Sequence, residues 1–217
     1  MLKKIIKLTM CLLAVCTLCA AGPSAWAQTS EASIEITAGT GPTYPVNPED
    51  PSEDLTDETP VSGSLAILMV SDFNFGAVAT ATITEKHNTT TFQPNIQVVD
   101  LRGTGTGWSV SASVSGFTNG GTPSLSGAVI HIYNGRPTSL VSAQYAPIPI
   151  ENSALTADNS PVKVITAPNG TGMGLWVMRW YPSSEETTPY VQLEIPAGTA
   201  TLGTHTATIN WSLSDTP

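Results

Sequence analysis

Two stretches of strict two-residue alternation constrain this chain more than anything else in it. In the first, Trp108, Val110, Ala112 and Val114 alternate with Ser109, Ser111, Ser113 and Ser115; in the second, Ala207, Ile209, Trp211 and Leu213 alternate with Thr206, Thr208, Asn210 and Ser212. Successive side chains of a strand point to opposite faces, so each stretch reads as a half-buried strand with one apolar and one hydroxyl-bearing face. Both tryptophans share their face with aliphatic residues, which predicts indoles turned into a common interior. Two such strands in one chain predict a single all-β body.

The texture around them agrees. From Ser64 to Pro217 short apolar and polar alternations are separated by glycine-rich turns such as Asn119-Gly120-Gly121, Asn134-Gly135 and Asn169-Gly170. Strands are predicted at residues 65–70, 77–84, 95–102, 107–117, 128–133, 162–167, 175–181, 191–195 and 204–214, and no stretch carries a helical period. Many short strands at this spacing favour an antiparallel β-sandwich over residues 64–217. Trp176, Met178 and Trp180 interleave with Leu175 and Val177, so that strand is expected either at the centre of the body or on a patch covered by a partner.

Ahead of the body, residues 1–27 read as a secretory signal peptide. Lys3, Lys4 and Lys7 precede a short apolar run and an Ala25-Trp26-Ala27 cleavage site, and the run is too short for a membrane span. Cys11, Cys16 and Cys19 all lie in that segment, which predicts a mature chain without disulfide or thiol chemistry. Residues 28–63 carry eight acidic side chains, no basic one and five prolines, a composition expected of a solvated, disordered acidic linker. A short strand at Ser33–Thr37 is the one element foreseen there.

Without Lys3, Lys4 and Lys7 the chain keeps five basic residues, Lys86, Arg102, Arg136, Lys163 and Arg179, against seventeen acidic ones, a formal charge of −12. Bulk charge of this sign excludes nucleic acid or an anionic lipid surface as an electrostatic partner. The same sign argues against attraction of anionic polymers by charge alone, so such a partner must be read by shape and hydrogen bonds or through bridging cations. Catalysis finds no support either: His87, His131 and His205 lack metal-ligand spacing, Glu185 and Glu186 are adjacent and point apart on a strand, and no Gly-x-Ser-x-Gly occurs. No cofactor site is expected.

Taken together, certain segments resemble the WxL domain of Gram-positive surface proteins. They are Asp72-Phe73-Asn74-Phe75-Gly76, then Val98 to Gly103 running into Gly107-Trp108-Ser109-Val110, and the closing Trp211-Ser212-Leu213-Ser214-Asp215-Thr216-Pro217. Val110 stands where the first motif usually has leucine, and His205 where an aromatic is expected before the last strand. The resemblance implies a secreted protein held non-covalently on the cell wall, with peptidoglycan as its ligand. An alternative is a structural or adhesive subunit that binds another surface protein or a host matrix protein, with only indirect wall association.

Three sets of residues are candidates for that work. Asp100, Arg102, Trp108, Val110, Trp211 and Leu213 form the motif, either as a fold signature or as a wall-binding element. If the two strands are neighbours, Ser109, Ser111, Thr208, Asn210 and Ser212 make a ladder of hydroxyl and amide groups able to bond a glycan or a stem peptide, as an ordinary solvent-facing strand surface would also look. Asp100 and Arg102, two residues apart beside the Gly103-Thr104-Gly105-Thr106-Gly107 loop, either pair with each other or grip a charged ligand.

Overall fold

A computed structural model describes residues 31–181 and 190–217. The signal peptide, its cleavage site and Glu185-Glu186 lie outside the described residues. Ile36–Pro217 form one compact unit.

That unit is built from strands. The first are β1 (Pro42–Thr43), β2 (Val61–Ser62), β3 (Leu65–Val70), β4 (Glu85–Asn88), β5 (Asn95–Asp100) and β6 (Trp108–Val114). There follow β7 (Thr118–Asn119), β8 (Thr122–Pro123), β9 (Val129–Tyr133), β10 (Arg136–Thr138), β11 (Ile148–Pro149) and β12 (Asn152–Thr156). The last are β13 (Val162–Ala167), β14 (Gly174–Arg179), β15 (Val191–Ile195), β16 (His205–Thr206) and β17 (Ile209–Ser214). A single 3-10 turn at Ala143–Tyr145 is the only helical element among the described residues.

Three four-stranded antiparallel sheets, ordered β10-β14-β5-β3, β11-β13-β6-β17 and β12-β9-β15-β4, supply one hydrophobic core. The expectation of an all-β antiparallel β-sandwich therefore holds, with three four-stranded sheets contributing to its core. Apolar alternation explains the core membership: Val110, Ala112 and Val114 of β6, Ile130 and Ile132 of β9, and Val191 and Leu193 of β15 all turn to the same interior.

Strand β14 is central in its sheet, which explains its apolar character on both faces. Trp176 and Met178 join the main core, while Val177, on the opposite face, is fully buried. The back of this sheet is closed by the chain's own acidic segment rather than by a partner. The Gln97 amide, itself buried, accepts from Val46 N at 2.7 Å and donates to Val46 O at 2.8 Å, and Val46 is 2% exposed. Arg179 pairs with Glu49 at 2.9 Å, and β1 pairs with β2. The expectation of a disordered linker is thus corrected for residues 39–62: a side-chain amide that mimics a strand edge, one valine and one ion pair are enough to seat a segment otherwise rich in charge. Both faces of β14 are thus occupied within the chain, the first of the two placements expected for it.

Two other expectations fail for physical reasons. Residues 77–84 alternate like a strand yet form none, and they pair with no strand among the described residues. Conversely β4, with the sequence Glu-Lys-His-Asn, forms a strand through its pairing with β15, where Lys86 lies opposite Glu194. The predicted strand at residues 204–214 breaks into β16 and β17.

Candidate functional site

The two alternating stretches are direct neighbours. In the β6–β17 ladder Ile209 lies opposite Val114, Trp211 opposite Ala112 and Leu213 opposite Val110, and on the other face Asn210 opposite Ser113, Ser212 opposite Ser111 and Ser214 opposite Ser109. The inner face belongs to the core, as period two predicts. Trp108 is 1% exposed, and its indole Nε1 donates to the Gly172 carbonyl at 3.0 Å. Gly172 is a required glycine: its φ is +77°, and an added Cβ would lie 2.5 Å from the Trp108 nitrogen. Val110 is fully buried, so a leucine's extra methylene is absent from a packed site rather than from a surface.

Trp211 is placed differently. It is half-buried, stacked on Trp180 with ring centroids 5.4 Å apart, and met edge-on by Phe73 at 6.4 Å. Phe73 also meets Trp180 at 5.9 Å. The Asp72-to-Gly76 segment that delivers Phe73 is tied down by the Asn74 carbonyl, which accepts from Thr90 N at 2.6 Å and Thr89 Oγ1 at 2.9 Å. Sequence reasoning noticed that segment but not its role as the carrier of an aromatic lid over the second motif tryptophan.

The outward face is mostly hydroxyl and amide. Ser111 and Ser113 are partly exposed, and Thr208, Asn210 and Ser212 are exposed. Ser109 departs from the expected ladder: it is 5% exposed and its hydroxyl donates to Thr216 O at 2.7 Å, so the C-terminal residues cover it. On the far side of β6, Lys163 of β13 lies opposite Ser111 and Thr166 opposite Ser109. Residues directly opposite in an antiparallel pair share a face, so an exposed ammonium flanks the hydroxyls. That juxtaposition is invisible in the sequence, where Lys163 stands alone.

Lys163 differs from the other cations of the domain. Lys86 pairs with Glu194, Arg102 with Asp100 and Arg179 with Glu49, and Arg136 donates to the Tyr190 hydroxyl at 3.1 Å. Among the described residues Lys163 has no ion pair. Its stem stands on a bulge, where register shifts between Lys163 and Ile165.

Asp100 and Arg102 form a closed structural pair. The Asp100 side chain is 0% exposed; Arg102 Nε donates to Oδ1 at 2.9 Å and Nη2 to Oδ2 at 2.8 Å, and Nη2 also donates to the Gly107 carbonyl at 2.6 Å. The hydrogen bond and charge of Asp100 raise the Arg102 pKa above its ordinary value. The pair clamps both ends of the Gly103-to-Gly107 loop and leads the chain into Trp108. It is spent on the fold.

His205 is likewise fixed. Its Nε2 donates to the Thr201 carbonyl at 2.9 Å, which leaves Nδ1 to accept from the Ser124 hydroxyl at 2.8 Å. An imidazole with both nitrogens bonded serves here as the turn-locking group that an aromatic would otherwise be. Among the described residues no cluster of three or more His, Cys, Asp or Glu side chains has metal-binding geometry, and no helix is long and apolar enough to cross a membrane.

A family model described as "WxL domain surface cell wall-binding" matches residues 24–217, and the chain is a member of that family. It is a cell-surface protein associated with the cell wall. No curated protein and no solved structure matches the chain.

Proposed function

We propose that the domain attaches non-covalently to peptidoglycan of the Gram-positive wall through the outer face of β6, β13 and β17. The observation that carries this is the exposed Lys163 ammonium, without an ion pair among the described residues, beside the row of Ser111, Ser113, Asn210 and Ser212. Peptidoglycan offers sugar hydroxyls and amides to bond the row, and stem-peptide carboxylates to pair with an ammonium. The family's cell-wall association supports a wall ligand, and the domain's strongly acidic charge requires that the ligand be read by placed groups rather than by bulk attraction. Catalysis has no part in this function, which needs only binding.

The test is sedimentation of the secreted protein with purified insoluble peptidoglycan at physiological salt. Retention in the pellet is expected, and Lys163→Gln weakens it by roughly tenfold or more, because a hydrogen bond to a charged group contributes about 1.5–3 kcal/mol. A protein left wholly in the supernatant, yet recovered with intact cell surfaces, would replace this function with indirect attachment through another surface protein.

A further inference from the structure

Strand β17 ends one sheet and β4 ends another, and each has a strand neighbour on one edge only. Between these free edges lies a groove of about 990 Å³, floored by core residues Phe117, Leu125, Ile130, Leu193 and Ile195. Its outer wall is the segment 71–83, which includes the alternating Ala77-Val78-Ala79-Thr80-Ala81-Thr82-Ile83 run. That run has a strand's pattern and no strand partner; Val78 is 45% exposed and Ile83 66%. A free edge, an orphaned strand-like run and an apolar trough between them are what remain when one strand of a β-body is missing.

A segment of matching character lies elsewhere in the same chain. Ser33-Ile34-Glu35-Ile36-Thr37 alternates with both isoleucines on one face, and they are 86% and 83% exposed. Its Ile36-Thr37 end is held near an anchor at Gly39. Gly39 N donates to Leu101 O beside the Asp100 end of β5, and the chain then runs along β5 through Val46 at Gln97 to Glu49 at Arg179, which pairs with Asn95. The groove begins at the Asn95 end, where Ser71 N donates to Asn95 O. The length of β5, about 17 Å, separates the two ends. Ile36 is three residues from Gly39, a reach of at most about 11 Å, short of that separation.

The geometry points to head-to-tail self-assembly: the 33–37 segment of one copy inserts as a strand into the β17/β4 groove of the next. Backbone hydrogen bonds to β17 and to the 77–83 run supply the affinity, and Ile34 and Ile36 fill the trough over Leu193 and Ile195. Donor and acceptor sit at opposite ends of β5, so the contact is heterologous and leaves a free donor and a free groove on every assembly, which extends into a filament. This goes beyond wall attachment: it takes the free backbone edge of β17, whereas wall attachment is proposed for outward side chains of β6, β13 and β17.

Crosslinking of the secreted protein tests the inference. All natural cysteines (Cys11, Cys16, Cys19) precede residue 28, and Ile36 and Val78 are exposed, so Ile36→Cys with Val78→Cys leaves folding intact. Mild oxidation of the double variant is expected to give a ladder of disulfide-linked trimers and larger species, while each single variant stops at dimers. In parallel, a peptide of residues 31–39 is expected to bind the protein and to suppress the ladder, and the same peptide carrying Ile34→Asp and Ile36→Asp to bind at least roughly tenfold more weakly. An internally bridged monomer would place the segment in its own groove and overturn the inference. Absence of any species beyond dimers, with no peptide binding, would overturn it equally.

Discussion

The two motif tryptophans differ in what they do for the fold, and their truncation separates them. Trp108→Ala removes a side chain that is 1% exposed and leaves the Gly172 carbonyl without its indole donor. Large-to-small replacement of a buried tryptophan costs about 3–5 kcal/mol. An orphaned buried acceptor adds about 1–3 kcal/mol, of which part overlaps with the cavity term. The expected loss is about 5 kcal/mol. Trp211→Ala removes a half-buried ring whose specific contacts are the stack on Trp180 and the edge of Phe73. Each aromatic pair is worth about 0.5–1.5 kcal/mol beyond its area, and the ring already faces the groove, so about 2–3 kcal/mol is lost. Urea unfolding followed by circular dichroism reads the difference. With a slope near 2 kcal/mol/M the midpoint falls by about 2.5 M for Trp108→Ala and by about 1–1.5 M for Trp211→Ala. Equal shifts, or a larger one for Trp211→Ala, would refute the distinction between a sealed and a groove-lining indole.

Other perturbations report on the remaining contacts. Asp100→Ala leaves the Arg102 guanidinium, 16% exposed, without its carboxylate and frees the loop ahead of Trp108, so thermal unfolding is expected to register about 3–5 kcal/mol of destabilisation; a variant as stable as the parent would mean the pair is not structural. Gln97→Ala removes both hydrogen bonds to Val46, and limited proteolysis is expected to cut residues 39–62 much faster while the 64–217 body stays intact. The Glu194 carboxylate is held below its ordinary value of 4.5, first by the His131 hydrogen bond and then by Lys86. A depressed carboxylate pKa contributes stability that is present above the unfolded value and lost as pH falls through the folded one. The melting temperature of the parent is therefore expected to drop more steeply than that of Glu194→Gln as pH falls from about 5 toward 3, and parallel curves would contradict it.

Legibility of this fold from sequence tracks how much each element depends on its own residues. Residues 108–114 and 209–214 announce themselves because a strand with one face in the core and one outside writes period two into the chain. The same signature misleads at residues 77–84, where the local pattern is right but no pairing edge is supplied; strand formation is a property of two segments, and sequence alternation describes one. β4 shows the converse, a charged run made a strand by its partner β15. Val46 was hidden by composition: averaged over residues 28–63, acid and proline outweigh the one valine and the distant Gln97 that seat the segment. At the candidate surface the hydroxyl row was legible. Lys163 joined it only through the β6–β13 register, fifty-two residues from Ser111 in sequence and opposite it in space.

Separating surface from core gives the most direct test of where wall attachment resides. The measurement is retention on insoluble peptidoglycan of a variant with Ser111, Ser113, Asn210 and Ser212 all changed to alanine, matched to the parent for folded fraction by circular dichroism. Substitutions on an exposed face usually shift stability by no more than about 0.5 kcal/mol each, so the variant is expected to fold. Loss of four hydrogen-bonding groups at about 0.5–1.5 kcal/mol apiece predicts at least about a thirtyfold fall in affinity. Undiminished binding by the folded quadruple variant would contradict the account and move the wall contact to another face of the domain.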